Sequence, residues 1–536
     1  MRQMRKKTIA AMLACAMAVS LTGCGFGGQK TTATAASAGT EQSQDMADGK
    51  KKLAVGLYGG LDSLNPWTSG RITKDMVTYT LYETLASCQS GSADLEPILM
   101  KDYEKVDDVT FDVTIYDNIK DAAGNPVTAS DVVFSFNQYN KNWATVVEEA
   151  LVKDEYTVEL KLNTAAAGAF EYIVCKVPIA TEKSYNDSPD QFATTSCGTM
   201  PYTVSNYVAG TSITLEKMDS YWQTDELAYP GSAANADIIE FNILEEATQL
   251  ALAIEKGDIQ VAMFIQPSML DEVAAKDGIE IYGVPSSEDR GIMFCMTEDS
   301  PFYDNLELRQ AVLYAIDNES VAEACGYGYA EPSKVTCGSK ELTIGYDPSW
   351  ESSPYAYDTD KARELLAKAG YGEGGLHLRL LANNNGTITT MWQIIQANLL
   401  DVGIDAELNV CEGTTYGAYR DGTSGQYEMA YAGPGNSGYA TQDLWNTLFN
   451  RKNYDSGRTW AGLLDDKLQS LYDTLASADG YTQENVNAFY DYITDNAYYY
   501  EIYSMPDYAA YNSAKVTGFY TDWNRFIRVN TIELAD

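Results

Sequence analysis

Nine cysteines and one histidine bound the covalent chemistry open to this chain. The histidine, His377, sits in "GLHLRLL". It alternates there with apolar neighbours and is expected to face outward from a strand. Ser-His-Asp, Cys-His and H-E-x-x-H chemistry each need a histidine held in a fixed relation to other groups. The chain contains neither a G-x-S-x-G elbow nor a G-x-x-x-x-G-K-[ST] phosphate loop. Seven cysteines lie beyond residue 24: Cys88, Cys175, Cys197, Cys295, Cys325, Cys337 and Cys411. None form a C-x-x-C pair, so no structural zinc and no other metal or cofactor is expected. Cys325 with Cys337, or Cys175 with Cys197, are candidate bridges, and spacing leaves the pairing open. Carboxylates remain. With 76 acidic residues some suitable pair is always available, so composition does not exclude a glycoside hydrolase.

The other two cysteines lie at the N-terminus. Arg2, Arg5, Lys6 and Lys7 precede an apolar run from Ile9 to Leu21, too short to span a bilayer and of the length of a secretory signal. The run ends in Leu21-Thr22-Gly23-Cys24, which resembles the bacterial lipobox. In that pattern the cysteine is acylated on sulfur and becomes the first residue of the mature chain. Residues 1–23 are thus read as a lipoprotein signal peptide. Cys24 is read as the lipidation site that holds the protein at the outer face of the cytoplasmic membrane, since more than one acyl chain makes anchoring stable. Residues 24–52 contain few large apolar side chains and read as a flexible tether.

The 536 residues carry a net charge of −39, with 45% hydrophobic and 11% aromatic content. These are globular values, and the chain is too long for a single compact core. Removing the signal peptide takes away four cations and no acid, which deepens the negative charge. Nucleic acid is therefore not an expected partner, because phosphate binding needs clustered cations. An export signal also permits disulfides.

The elements needed to position a site can be read from periodicity. "TFDVTIYDN", "YTVELKLN" and "TSITLEKM" alternate as half-buried strands. "TASDVVFSFNQYN" opens a helix at Thr128, with Asp131 completing a capping box. "ATQLALAIEKG" reads as a helix stopped by Gly257. From "DTDKARELLAKAGYG" to "IDAELNV" the pattern runs helix, strand, helix, strand, with Met391, Ile394, Ile395, Asn398 and Leu399 on one helix face. That order implies crossovers and a mostly parallel sheet. No repeat of 20–50 residues is present, which removes solenoids and propellers. At least two α/β lobes follow, an arrangement suited to a cleft between them.

Several blocks in order then resemble one family. "GGLDSLNPW", "LYETL" and "LEPILMKDYEKVDD" resemble the opening of the family 5 extracellular solute-binding proteins, the oligopeptide, dipeptide and nickel receptors of ABC importers. "TFDVTIYDNIKDAAGNPVTASDVVFSFNQY", "GTMPYTVSNYVAGTSITLEKMDSYW", "IEFNILEEATQLALAIEKGDIQVA", "PFYDNLELRQAVLYAIDNESV", "KARELLAKAGY", "QANLLDVGIDAEL" and "VTGF" continue it from about residue 53 to 519. The resemblance implies the type II periplasmic-binding-protein fold, α/β in class, with two lobes, an extra subdomain and a ligand cleft between the lobes. Lobe I would comprise 53–285 plus 505–536, with the subdomain at about 86–174. Lobe II would comprise 286–504, with hinges near 285 and near 505.

It also implies a role and a site. The chain would be the substrate-binding component of an ABC importer, a monomer that captures a small solute and delivers it to permease subunits. It would not be an enzyme. An anchored glycoside hydrolase and a signalling sensor stand as rivals. Two segments are nominated for ligand contact. "NPWTSG" offers Trp67. The segment 428–445 offers Tyr431, Asn436, Tyr439 and Asp443, with Tyr416 nearby. In peptide-binding relatives this second stretch resembles W-x-x-D-Y-P-D-P, whose aspartate grips the peptide amino group. Here Tyr431 stands in the tryptophan's place, and Gly433-Pro434-Gly435-Asn436 replaces the acidic element. An oligopeptide is the first expectation for the solute. An oligosaccharide, stacked on tyrosines, is the second.

Overall fold

The computed structural model describes residues 49–535, except 69–71, 89–91, 93, 143–146, 164, 285–289, 339, 341–342, 353, 373–374, 421–425, 434–437, 440–447, 452–461, 478 and 523–525. The signal peptide, Cys24 and most of the expected tether lie outside the described residues.

A seven-stranded sheet runs in the order Ile279–Val284, Asp507–Asn512, Val261–Met263, Lys52–Tyr58, Ile238–Leu244, Ser212–Lys217, Tyr202–Val208. Lys52–Tyr58 lies parallel to both neighbours, in register Val55↔Phe241 and Val55↔Val261. It is buried on both faces, which explains its continuous apolar run. Leu53, Val55 and Leu57 point into one core, and Ala54 points into a second, smaller core on the opposite face. The helix Ala247–Lys256 covers that second face with Leu250, Ala251 and Ile254. Gly257 ends it at φ +76°, where its N–H can reach the Ala253 and Ile254 carbonyls, a left-handed position that favours glycine.

A four-stranded antiparallel sheet, Met100–Lys105, Thr110–Ile115, Thr157–Leu162 and Val147–Val152, branches from this body. Alternation puts Phe111, Val113 and Ile115 opposite Leu160 and Val158, under the helix Ala129–Asn142. The Asp131 carboxylate accepts the Thr128 N–H at 2.9 Å, one half of the expected capping box. The core of this sheet is continuous with that of the seven-stranded sheet.

A separate core surrounds a six-stranded sheet in the order Glu331–Pro332, Tyr499–Ser504, Arg290–Phe294, Met429–Ala432, Leu376–Asn383, Ile404–Cys411. The expected parallel arrangement holds for its last three strands. Arg290–Phe294 and Tyr499–Ser504 instead pair antiparallel. Arg290–Phe294 enters from the other sheet and Tyr499–Ser504 leaves toward it, so the two run in opposite directions. The helix Gly386–Asp401 buries Met391, Trp392, Ile395 and Leu399. The apolar face is thus turned toward Trp392. Asn398 instead accepts the Asp317 N–H at 3.1 Å.

In chain order, the strands of the seven-stranded sheet come first, then those of the six-stranded sheet, then Asp507–Asn512 returns to the first. The chain therefore passes between the sheets across 285–289 and across Met505–Pro506. The residues that flank the two passages are paired, Val284 with Asp507 on one side and Arg290 with Tyr503 on the other. The seven described cysteines are free thiols, so neither candidate bridge is formed. His377 faces solvent, with Nδ1 2.7 Å from Asp405. Among the described residues, no helix is long and apolar enough to cross a membrane.

Asp465 ties the core of the six-stranded sheet together. It caps the helix Asp466–Ala476 by accepting the Lys467 and Leu468 N–H groups at 2.7 and 2.8 Å, and it accepts the Tyr498 and Tyr492 hydroxyls at 2.6 and 3.0 Å. Burial alone would raise its carboxyl pKa. The hydrogen bonds from Tyr498, the Leu468 N–H and Tyr492 outweigh burial and hold it below the ordinary value. A folded-state pKa below the unfolded one means stability is fully present above the unfolded value of about 4, and is lost as pH falls from there through the lower folded value. Urea denaturation at stepped pH is expected to show this loss below pH 4, and Asp465→Asn is expected to flatten it.

Candidate ligand site between the two sheets

A cavity of about 270 Å³ opens where the two chain passages meet. Both sheets line it. Phe264, Gln266 and Pro267 follow the strand Val261–Met263, while Asn383, Asn385 and Tyr431 come from the ends of Leu376–Asn383 and Met429–Ala432. Arg290, Tyr503, Asp507 and Tyr508 come from the strand ends that flank the passages. The site thus lies beyond the carboxyl ends of parallel strands, where open α/β sheets leave a crevice.

Two helices begin at this cavity. Pro267–Ala274 starts after Gln266, and Gly386–Asp401 starts after Asn385, whose side chain accepts the Thr387 N–H at 3.0 Å and the Ile388 N–H at 3.4 Å. Both present the positive end of a helix dipole. Phe264 holds φ +59°, a left-handed conformation that costs a residue with a Cβ about 1–2 kcal/mol. Such strain persists only where the surroundings over-determine it. The Arg290 guanidinium is fixed, with Nη1 donating to the Met505 carbonyl at 3.1 Å and its carbon 5.7 Å above the Tyr503 ring. Asn383 Oδ1 is buried, and among the described residues it meets no donor. A buried acceptor left unmade costs about 1–3 kcal/mol, so this atom suits a ligand donor.

The nominated residues scatter. Tyr431 lines the cavity. Tyr416 is buried behind it and donates its hydroxyl to the Tyr431 carbonyl at 2.7 Å, so it braces that strand. Trp67 is fully buried in the other lobe. Its Nε1 donates to the Pro178 carbonyl at 2.8 Å, and its ring meets Phe134 and Tyr185 edge-on at 5.6 and 5.5 Å. Asn65 Oδ1 accepts the Trp67 N–H at 3.0 Å. Trp67 therefore supports its loop from beneath, in place of the ligand contact its position suggested. Tyr439 stands apart from the cavity, against Gly168. Asn436 and Asp443 lie outside the described residues. Sequence reasoning missed Phe264, Arg290, Asn383 and Asn385. The run "NNNG" between strand and helix was the available signal, since it marks a strand's carboxyl end and a helix cap together.

The model of the bacterial extracellular solute-binding proteins, family 5, middle region, matches residues 94–456, more than half of the chain. The chain belongs to the family 5 bacterial extracellular solute-binding proteins. The glutathione-binding protein GsiB of Escherichia coli K12 is 26% identical over 436 residues, which cover 76% of this chain and 81% of that one. Among solved structures, the ABC transporter substrate-binding protein CtaP of Listeria monocytogenes superposes with a TM-score of 0.75 at 21% identity, covering 91% of this chain and all of that one. The dipeptide-binding protein of Pseudoalteromonas sp. SM9913, in complex with Met-Leu, superposes with a TM-score of 0.71 at 18% identity, covering 90% and 100%. The mixed α/β architecture is that of the periplasmic binding proteins. As a member of this family, the chain is a bacterial extracellular solute-binding protein.

Tyr416→Phe removes the hydroxyl that serves the buried Tyr431 carbonyl. The expected loss is about 1–3 kcal/mol, read as a lower denaturation midpoint at unchanged secondary structure.

Proposed function

We propose that this protein is a lipid-anchored receptor that captures an oligopeptide between its two lobes and hands it to the permease. The observation that carries the reading is the cavity at the paired passages. It offers the orphaned acceptor Asn383 Oδ1, two helix N-termini, the carboxylate Asp507 and the tyrosines Tyr431, Tyr503 and Tyr508. A peptide backbone supplies donors and acceptors in alternation, and such a lining can meet both. At about 270 Å³ the cavity falls near the lower bound of small-molecule sites, a size suited to a short peptide or to one end of a longer one. The names of GsiB and of the Pseudoalteromonas protein point to the same ligand class.

In this reading the lobes are 53–285 plus 505–536, and 286–504. They close about the passages near 285 and 505, as hinged binding proteins do. Tyr431 contacts the ligand and Tyr416 positions it. Asn436 and Asp443 remain nominated for the ligand's outer end. Cys24 carries the acyl chains that keep the receptor beside its transporter. The tyrosines of the lining favour an oligosaccharide as the second reading.

Native mass spectrometry of protein from the producing cell is expected to show retained peptide masses. A hexose ladder would move the assignment to the oligosaccharide, and cleaved products released from added glycans would mark a hydrolase. Asn383→Leu is expected to weaken binding of the retained peptide about tenfold, or ~1.4 kcal/mol, in isothermal titration. For the anchor, the mature N-terminal peptide is expected to begin at acylated Cys24. Globomycin-treated cells are expected to accumulate the longer precursor, and an identical form in both would overturn lipidation.

A further inference from the structure

Outside the cavity lining, the two lobes touch again. Ala167 follows the strand Thr157–Leu162 of the four-stranded sheet, and its N–H donates to the Ala476 carbonyl at 3.1 Å. Ala476 ends the helix Asp466–Ala476, whose Leu468, Tyr472 and Leu475 belong to the other core. Next in sequence, Gly168 sits at φ +77° before the helix Ala169–Lys176. The Tyr439 ring lies directly against it. A Cβ placed on Gly168 would sit 2.8 Å from Tyr439 Cε2 and nearer still to Cγ and Cδ2, a separation that carbon atoms do not tolerate.

Tyr439 is held from its own side. Its ring meets Tyr481 edge-on at 4.8 Å, the neighbouring Gly438 carbonyl accepts the Ile344 N–H at 2.7 Å, and Tyr481 donates to the Ile344 carbonyl at 3.2 Å. Burial raises the Tyr439 phenol pKa, and Glu171, Cys88 and Asp94 of the opposite lobe raise it further. The aromatic side chain that sequence nominates for ligand stacking thus spends its face on a glycine of the other lobe.

We propose that Tyr439 and Gly168, together with the Ala167–Ala476 hydrogen bond, form a latch that sets the equilibrium between closed and open lobes and so tunes ligand affinity from outside the cavity. Ligand can favour closure only by the difference of its contacts in the two states. Contacts made solely between lobes add to that difference whatever the solute is. The glycine is required because the ring needs the space of its missing side chain, beyond its left-handed backbone. The proposal rests on the reading of the cavity as a ligand site for its effect on affinity, and on the interlobe contacts alone for the latch.

The test uses the full mature chain with Ala167→Cys and Ala476→Cys. Two thiols lose two electrons and two protons to oxidised glutathione and become a disulfide. The 167–476 linkage is counted by mass spectrometry of the digested protein, apart from native cysteines. The probe solute is the peptide pool of a tryptic casein digest. Gly168→Asn is the key variant, because asparagine tolerates the left-handed backbone while its Cβ strikes the ring. It is expected to slow crosslinking at least tenfold at an unchanged melting temperature. Adding Tyr439→Ala is expected to return the rate to that of Tyr439→Ala alone. Crosslinking of Gly168→Asn at the parent rate, or no recovery in the double variant, would overturn the latch. Peptide is expected to accelerate crosslinking of the parent. A Gly168-dependent rate that peptide leaves unchanged would support the latch and sink the peptide reading separately.

Discussion

The chain crosses twice between the seven-stranded and the six-stranded sheet, and the strands that flank the two crossings are paired with one another. Everything else depends on that constraint. Val284 pairs with Asp507 and Arg290 with Tyr503, so the strands that flank the two crossings are paired within their own sheets. Arg290 reinforces the junction by bonding the Met505 carbonyl.

The cavity follows from the same constraint. Parallel strands end together, and the chain must then turn into loops and helices. With both sheets carrying parallel segments, their carboxyl ends converge at the junction, along with helix N-termini that need electronegative partners. The polar lining, the left-handed Phe264 and the buried Asn383 oxygen are concentrated there. Each would be unfavourable in a closed core. Trp67 shows the contrast, since its ring and its Nε1 are both satisfied by protein.

The second place where the two bodies touch is Gly168 against the Tyr439 ring, where the Ala167 N–H donates to the Ala476 carbonyl. The chain's net charge of −39 favours solubility.

Periodicity alone was enough for the local elements. The strands at 110–115, 157–162, 212–217, 376–383 and 404–411, and the helix ended by Gly257, follow from side-chain alternation and from chain breakers, which act within a few residues. Family membership was legible too, because ordered blocks survive at low identity. The antiparallel entry of Arg290–Phe294, the Trp392 face and the free state of Cys175 and Cys197 were not, because each depends on partners far away in sequence. The site divided the same way. Tyr431 could be nominated from its segment, whereas the burial of Trp67, the bracing role of Tyr416 and the meeting of Tyr439 with Gly168 could not. A sequence determines what each side chain is able to do. Whether an aromatic ring faces a solute, a core or a glycine of another lobe is decided only when tertiary packing brings distant segments together, because that choice is made by the neighbours and not by the residue.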